Sequence, residues 1–510
     1  MANKNANAAA TDTSNGAVLS TGVKGLDYVL CGGFTPHRLY LVEGVPGAGK
    51  TTLALQFLRE GAQRGEPVLY VTLSETEEEL RAVAESHDWD LNGVQIREVI
   101  PSEDNLHSDQ SYTVFHPSEV ELSDTTRAIL AEVDAIKPTR IVFDSLSELR
   151  LLAGSPLRYR RQVLALKQFF AGRRCTVVLL DDLTQRDHDL QVQSIAHGVV
   201  LLDQTYPEYG AQRRRVRVTK YRGVNFRGGY HDFLIRRGGL EVFERIIAPS
   251  STVAPEWRWL SSGMPSLDRL LGGGLESGSS TLLVGAAGTG KSSIAAKFAT
   301  AAAERGETAA LFVFDESPQI LLNRMDGLGI GLRRHVAEKR VLLQRIDPAE
   351  MSPGEFAHRI RAATERDKVS LLVIDSLNGY LNSMPEERFL TIQLHELLTY
   401  LGGRGVATMM IAVQHGLIGT SMAGPVDASY LADSIIMMRY FEADGEVRQA
   451  LSVVKKRGGN HERTIREFRM GGPGGFRIGE PLRDFHGVLT GVPQYRGTVE
   501  ELISSRREDA

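Results

Sequence analysis

Two short glycine-rich segments of this chain carry the residue types needed to bind the phosphates of a nucleotide. GVPGAGKT (44–51) and GAAGTGKS (285–292) both fit the pattern G-x-x-x-x-G-K-[ST]. Glycines allow backbone N–H groups to surround phosphate oxygens, and a helix that begins at the motif adds a favourable dipole. A glycine-rich turn with a chance lysine is the alternative. It is disfavoured because each copy follows an apolar strand pattern and precedes a helical pattern. The segments therefore predict two sites for ATP.

Each residue type within these segments has an expected role. Lys50 and Lys291 are expected to reach the β- and γ-phosphates, so they are predicted to take part in catalysis as well as binding. The hydroxyls of Thr51 and Ser292 are expected to hold Mg²⁺. The predicted nucleotide-binding residues are Gly44, Gly47, Ala48, Gly49, Lys50, Thr51, Thr52, Gly285, Gly288, Thr289, Gly290, Lys291, Ser292 and Ser293.

An aspartate ends an apolar strand pattern once in each half of the chain. RIVFDSL contains Asp144 and LLVIDSL contains Asp375. Ligands of open α/β sheets bind at the carboxyl ends of the strands. We therefore expect Asp144 and Asp375 to complete the Mg²⁺ shell. The alternative is a carboxylate that caps the following turn, and the nearby glycine-rich motifs favour the metal role.

Further acids follow the next strand pattern after each glycine-rich motif. VTLSET contains Glu75, and FVFDES contains Asp315 and Glu316. A carboxylate here could orient or deprotonate the attacking water, or a protein hydroxyl. Ser74 stands where the second half has Asp315, and a serine cannot act as a base at neutral pH. The alternative interpretation is that these acids only cap the helices that follow them.

Two basic strand patterns each end in K-x-R-G. The first, RRRVRVTKYRG, contains Lys220 and Arg222, and the second, LSVVKKRGG, contains Lys455 and Arg457. Residues two apart on a strand point to the same side. In an oligomer, each pair could therefore reach the γ-phosphate bound by a neighbouring subunit. The alternative is a solvated sheet edge, which the repetition of the pattern disfavours.

These motifs lie on an internal repeat. Lys50 and Lys291 are separated by 241 residues, as are Glu75 and Glu316. We interpret the repeat as two copies of one domain. The predicted organisation is a disordered tail at 1–17, a first domain at 18–248, a linker at 249–255, a second domain at 256–495 and a C-terminal tail at 496–510.

The elements that must position the motifs are strands and helices in alternation. The first copy contains the apolar strand patterns RLYLVEG, PVLYVTL, TRIVFDSL, CTVVLLDD and HGVVLLD, and helical stretches such as TTLALQFLREGAQRG. Strands that are apolar throughout and separated by helices favour a mostly parallel sheet with helices on both faces. The predicted fold class is therefore α/β, with two tandem domains of this kind.

Composition narrows the class of protein. The 510 residues are 42% hydrophobic and 24% charged, with a net charge of −4. No apolar run is long enough to span a membrane, and the start of the chain lacks the apolar core of a signal peptide. With only two cysteines, the composition fits a cytoplasmic protein. The acidic balance also argues against nucleic acid as a partner.

The sequence resembles the KaiC family of circadian-clock ATPases and autokinases. The resemblance rests on TGVKGLD and SGMPSLD at the domain starts, FDES, the Asp-Ser-Leu strand ends, K-x-R-G, and HERTIREF (461–468). It implies RecA-like domains stacked as a double-ring homohexamer, with ATP and Mg²⁺ bound between neighbouring protomers. It therefore supports contacts by Lys220, Arg222, Lys455 and Arg457 across subunits. It names no signalling partner.

The resemblance also implies a candidate phosphorylation site. The family phosphorylates an adjacent Ser-Thr pair in its second domain, and the stretch DASYLADS (427–434) aligns with that region. Ser429 falls on the serine and Tyr430 falls on the threonine. A single phosphoserine, Ser429, is the resulting expectation.

Three functions remain open from the sequence. The first is a ring ATPase with serine autokinase activity in the second domain, acting as a signalling or timing switch. The second is a nucleic-acid-dependent motor, since RecA-like hexamers include helicases and recombinases. The third is a scaffold in which ATP holds the ring together and hydrolysis hardly matters.

Overall fold

The computed structural model describes most of the chain. Its described residues are 18–99, 127, 129–183, 190–247, 256–382, 389–414, 429–443, 445–471, 475–489 and 494–495. The chain divides into two compact units, Met1–Arg245 and Ile246–Ala510. The predicted tails at 1–17 and 496–510 and the predicted linker at 249–255 lie outside the described residues.

The first unit contains a nine-stranded sheet with the strand order β3-β2-β4-β5-β1-β6-β7-β8-β9. Its strands are β1 Leu39–Gly44, β2 Val68–Thr72, β3 Val94–Glu98, β4 Arg140–Asp144, β5 Thr176–Asp182, β6 Gly198–Thr205, β7 Arg213–Tyr221, β8 His231–Arg236 and β9 Gly239–Phe243. The helices described in this unit are α1 Lys24–Val29, α2 Lys50–Gln63, α3 Glu77–Ser86, α4 Leu146–Ala153, α5 Pro156–Ala171 and α6 Leu190–Ile195.

The six strands from β3 to β6 in this order run parallel, and β7, β8 and β9 continue the sheet antiparallel. The central strands β1, β2 and β4 are buried along their whole length. This agrees with the mostly parallel sheet predicted from the apolar strand patterns, because helices cover both faces of such a sheet. The antiparallel extension carries charged residues that the apolar patterns did not include.

The second unit repeats the same sheet. Its strand order is β14-β13-β15-β16-β12-β17-β18-β19-β20, so each strand takes the place of its counterpart in the first unit. The strands of this sheet are β12 Ser280–Gly285, β13 Thr308–Val313, β14 Val341–Arg345, β15 Val369–Asp375, β16 Ala407–Val413, β17 Ser434–Ala443, β18 Glu446–Lys456, β19 Ile465–Met470 and β20 Phe476–Pro481.

Two short ribbons and seven helices complete the described part of this unit. The ribbons pair β10 Trp259–Leu260 with β11 Leu275–Glu276, and β21 Phe485–His486 with β22 Gln494–Tyr495. The helices are α7 Pro265–Leu270, α8 Lys291–Glu304, α9 Pro318–Gly327, α10 Leu332–Ala337, α11 Pro353–Arg366, α12 Leu377–Asn382 and α13 Leu390–Gly403.

Alternation along β1 shows how the sheet separates two apolar layers. Tyr40 and Val42 pack into one layer with Phe57 of α2. Leu39 and Leu41 pack into the other layer, together with residues of α5. Successive side chains of a strand point to opposite faces, so the same short run supports both layers. The glycine-rich motif at the end of β1 is thereby held between two packed faces. Among the described residues, no helix is long and apolar enough to cross a membrane.

Candidate functional site

The glycine-rich motif of each unit forms the turn between a central strand and a long helix. In the first unit it joins β1 to α2, and in the second it joins β12 to α8. Gly49 and Gly290 immediately precede the helices and have φ of 99° and 97°. A Cβ on Gly49 would lie 2.6 Å from Ile235 Cδ1, and one on Gly290 would lie 2.8 Å from Phe468 Cε1. Both the left-handed backbone and the close neighbour therefore require glycine.

The two motif lysines are buried but have different partners. Lys50 Nζ donates hydrogen bonds to the carbonyls of Gly44 and Val45 and lies 2.6 Å from Asp182 Oδ1. Lys291 Nζ donates to the carbonyls of Gly285 and Ala286 at 2.8 and 2.6 Å. Burial lowers the pKa of Lys291 to about 8, although Asp375 opposes this shift. Among the described residues, the buried ammonium of the second unit therefore has no ion pair like the one between Lys50 and Asp182.

The predicted metal ligands are adjacent in both units. Thr51 Oγ1 donates to Asp144 Oδ2 at 3.1 Å, and Ser292 hydrogen-bonds Asp375. Burial raises the pKa of Asp144, and burial with the nearby Glu316 and Asp315 raises the pKa of Asp375 to about 6. Each pair combines a hydroxyl with a buried carboxylate, and both are hard oxygen ligands. Such a pair fits Mg²⁺, which usually takes one or two protein ligands plus phosphates and water.

Of the predicted nucleotide-binding residues not yet placed, several lie in the packed start of the motif helices. Thr52 and Ser293 are buried in the first turn of α2 and α8. Ala48 and Thr289 are fully buried within the turns, and Thr289 Oγ1 donates to the carbonyl of Ala286 at 2.9 Å. Gly47 and Gly288 also have left-handed backbones, with φ of 79° and 80°. These residues shape the turn, and turns of this kind at a helix start bind phosphate through their backbone N–H groups.

Glu75 lies just beyond the end of β2, facing the first motif. Its Oε2 atom is buried and has no hydrogen-bond partner among the described residues. Burial raises its pKa, and the charges of Asp144, Glu79 and Asp182 act in the same direction. Helix α3 is capped by Thr76, which forms a capping box with Glu79. The alternative that Glu75 only caps this helix is therefore wrong.

The two acids of the second unit are both engaged. Asp315 Oδ2 accepts a hydrogen bond from Ser376 Oγ at 2.6 Å. Glu316 forms an ion pair with Arg324 of α9, and Arg324 also lies 3.5 Å from Ser293 Oγ. Helix α9 is capped by Ser317, so the capping alternative is wrong for Glu316 as well. The two units therefore present differently paired acids at equivalent places.

The K-x-R cations are placed by a bulge in each sheet. Val199 pairs with Lys220 while Val200 pairs with Val218, which leaves Thr219 as an extra residue. Such a bulge re-aims the side chains beyond it. Lys220 consequently contacts the carbonyls of Gln193 and Ser194 in α6, and Arg222 also donates to Ser194 O at 2.7 Å. The two cations share one side, as the spacing predicted.

The second unit repeats this bulge before Lys455. Ile435 pairs with Lys455 and Ile436 with Val453. Lys455 Nζ donates to Ser429 O and Ala432 O at 2.8 and 2.7 Å. Arg457 donates to Tyr430 O at 2.9 Å and pairs with Asp433. The cations thus hold the backbone that carries the candidate phosphorylation site, whose first residues, 427 and 428, lie outside the described part.

Three residues near the two sites were not singled out from the sequence. Asp182 contacts Lys50, Tyr70 donates its hydroxyl to Asp144 Oδ2 at 2.5 Å, and Arg324 binds Glu316. A usable signal existed only for Asp182, because the strand pattern VVLLDD ends in two acids whereas its counterpart MMIAV ends without any. The other two contacts depend on the pairing of distant segments, which the sequence does not specify locally.

Comparison with known proteins relates both units to one protein family. The family model of the KaiC ATPase matches residues 19–246 and 260–483. The circadian clock protein KaiC3 of Synechocystis sp. is 26% identical over 498 residues, covering 94% of this chain and 95% of that protein. The circadian clock oscillator protein KaiC of Parathermosynechococcus lividus is 28% identical over 484 residues, covering 93% of this chain and 87% of that protein.

Proposed function

This chain belongs to the KaiC family of ATPases and is built as two tandem RecA-like α/β domains, and from that we propose that both domains bind Mg-ATP and hydrolyse it. The observation that carries the proposal is the convergence, in each domain, of a buried lysine, a hydroxyl and a strand-end aspartate. In the first domain these groups are Lys50, Thr51 and Asp144. A nucleoside triphosphate with its metal ion is the ligand that would contact all three groups.

The proposed roles follow from the chemistry of each group. Backbone N–H groups of the motif turn and Lys50 or Lys291 would bind the phosphates. Thr51 with Asp144, and Ser292 with Asp375, would hold Mg²⁺. The ion, when bound, neutralises charge on the β- and γ-phosphates. In the first domain, Glu75 would orient the attacking water and accept its proton, since one buried carboxylate oxygen has no partner among the described residues. Asp315 and Glu316 are the corresponding acids of the second domain.

Phosphate release by the full chain tests this proposal. We expect Lys50→Ala and Lys291→Ala each to remove part of the Mg-dependent turnover, and the double variant to remove nearly all of it. A rate unchanged in the double variant would overturn the proposal. Single-stranded DNA should leave the rate unchanged; salt-sensitive stimulation would instead favour a nucleic-acid motor. Nucleotide binding without turnover would favour the scaffold.

We further propose a homohexameric ring in which the K-x-R cations act on the ATP of a neighbouring subunit. Support comes from the equivalent bulges that precede both pairs, on strands β7 and β18, which hold the same place in the two sheets. Subunit mixing tests this point. A Lys50→Ala chain and a chain with Lys220→Ala and Arg222→Ala should each lose first-domain turnover.

In a random equal mixture, one interface in four combines an intact motif with intact cations. We therefore expect roughly one quarter of the wild-type first-domain turnover to return if the cations act across subunits. If they act within one subunit, mixing should return nothing. Lys291→Ala mixed with a chain carrying Lys455→Ala and Arg457→Ala makes the same test of the second domain.

We also propose a more specific activity, the autophosphorylation of Ser429 by the second domain. Its hydroxyl oxygen would attack the γ-phosphorus, the bond to the β–γ bridging oxygen would break, and ADP would leave while Asp315 or Glu316 takes the hydroxyl proton. Support comes from Lys455, which contacts the Ser429 carbonyl and is also a proposed phosphate contact.

Peptide mass spectrometry after incubation with Mg-ATP tests the autokinase step. One phosphate at Ser429, absent from Ser429→Ala and from Lys291→Ala, is the expected result. ATP consumption without phosphate on the chain would make the protein an ATP-driven switch with no phosphorylation memory.

A further inference from the structure

Asp182 forms an ion pair with Lys50, the lysine of the first-domain glycine-rich motif. Its Oδ1 atom lies 2.6 Å from Lys50 Nζ, and the two side chains are only 26% and 8% exposed. Ser147 at the start of α4 holds Asp182 from the other side. The Ser147 hydroxyl donates to Asp182 Oδ2 and accepts from the Asp182 backbone N–H, both at 3.3 Å. The carboxylate is therefore fixed at the end of β5 beside the motif.

In the second domain, the position equivalent to Asp182 carries no carboxylate. Asp182 pairs with Gly44 across the sheet, and Val413 pairs with Gly285 in the same way, so Val413 stands at the Asp182 position. Asn378 there hydrogen-bonds both the N–H and the carbonyl of Val413. The backbone is thus tethered as in the first domain, but the residue tethered there is an uncharged valine, and the carboxylate that acts on the Lys291 charge is the strand-end Asp375.

A phosphate and a carboxylate both bind a lysine ammonium through charge-assisted hydrogen bonds, so they compete for it. In the first domain, Lys50 must exchange Asp182 for phosphate oxygens, and the displaced carboxylate then lies near the added negative charge. In the second domain, the phosphate meets Lys291, which has only carbonyl oxygens as close partners among the described residues. The exchange therefore makes binding less favourable in the first domain than its motif alone would allow.

We infer that Asp182 is an affinity-determining residue of the first domain, where it acts as an internal competitor of the nucleotide for Lys50. The inference rests on the proposed ATP binding by both domains. It makes the two domains respond to different nucleotide concentrations although their motifs are alike. The difference is encoded outside both glycine-rich motifs, on the strand between the motif strand β1 and the aspartate strand β4.

Calorimetric titration of the full chain with Mg·AMP-PNP tests this inference. In a Lys291→Ala background, which weakens the second site, the remaining strong binding reports the first domain. We expect Asp182→Asn to tighten this binding by about tenfold. Asp182→Val, which copies the second domain, should act in the same direction. Asp203→Asn is the matched control, because it removes the same charge from a carboxylate that pairs with Arg215 instead.

The reciprocal variant moves the carboxylate to the second domain. In a Lys50→Ala background, Val413→Asp should weaken binding by a similar factor. Thermal unfolding of each variant checks that the chain remains folded. If Asp182→Asn does not fold, Asp182→Val takes its place in the test.

Unchanged or weaker binding by the Asp182 variants, with wild-type binding intact, would overturn this inference alone. An absence of Mg·AMP-PNP binding by the wild-type chain would overturn the proposed function together with it.

Discussion

Arg324 of α9 binds the carboxylate of Glu316 at the end of β13, whereas the equivalent Glu75 has an oxygen without a partner among the described residues. The difference comes from a single helix position, because the 241-residue spacing places Val83 where the second domain has Arg324. Two sites with the same motif pattern therefore hold their candidate catalytic acids in different contacts. An acid held by a guanidinium is less available to a water molecule than a free one.

We expect Arg324→Met to raise second-domain turnover by about three- to tenfold, because it releases the Glu316 carboxylate. Phosphate release in a Lys50→Ala background measures this effect. The reciprocal change, Val83→Arg, should lower first-domain turnover in a Lys291→Ala background. A fall in turnover of Arg324→Met, with an unchanged melting temperature, would show that Arg324 assists the reaction rather than restraining it.

Glu75→Gln should lower first-domain turnover by about 100-fold or more, because an amide cannot accept the proton of the attacking water. The substitution keeps the size of the side chain, so nucleotide affinity should change little. The assay is phosphate release in a Lys291→Ala background. Ser74→Ala is the matched control at the adjacent, exposed position and should leave turnover unchanged. Equal rates for Glu75→Gln and its parent would make the first domain a nucleotide-holding scaffold.

The sequence predicted where the local parts of the two candidate sites lie in the fold. The placement of the glycine-rich motifs between a strand and a helix, and of Asp144 and Asp375 at strand ends, could be predicted because their spacing and the apolar strands before them are sufficient signals. The contacts of Lys455 could not, since they depend on a one-residue bulge and on a strand pairing with distant residues. The partners of Lys50 and Glu316 likewise come from elements that only the folded sheet brings together.

The pH dependence of first-domain turnover should reflect the raised pKa of Glu75. Burial, followed by the charges of Asp144, Glu79 and Asp182, raises this pKa above the ordinary value of 4.5. A base acts only when ionised, and a raised pKa means that the proton is taken up at a higher pH. Turnover should therefore decline on the acid side at a pH above 4.5.

Asp182→Asn removes one of the charges that raise the Glu75 pKa, so the acid limb should move to lower pH. A pH–rate profile in a Lys291→Ala background measures both effects. An acid limb that stays in place in Asp182→Asn would mean that another group controls it. The profile is to be recorded at saturating nucleotide, because the same substitution is expected to change affinity.

The fold of the first domain should depend strongly on Arg140, which is fully buried at the start of β4. Its guanidinium donates to Ser20 O at 2.8 Å, to Phe57 O at 3.0 Å and to Glu66 Oε2 at 2.6 Å. Arg140→Ala leaves these acceptors without their donor, and we expect it to lower the free energy of unfolding by about 3–5 kcal/mol. Arg64→Ala removes an exposed pair with Glu60 and should cost less than about 0.5 kcal/mol.

Denaturant unfolding followed by Trp89 fluorescence measures this loss in a Trp257→Phe, Trp259→Phe background, since the chain has three tryptophans. The loss should also depend on pH. Burial opposes the shift, but the hydrogen bond and charge of Arg140 hold the pKa of Glu66 below its ordinary 4.5. A depressed pKa stabilises the fold above the unfolded value, and this contribution disappears as the pH falls through the folded value. The difference in the free energy of unfolding between wild type and Arg140→Ala should therefore narrow below about pH 4.5. A difference that stays constant with pH would mean that the two backbone carbonyls, rather than Glu66, account for the effect.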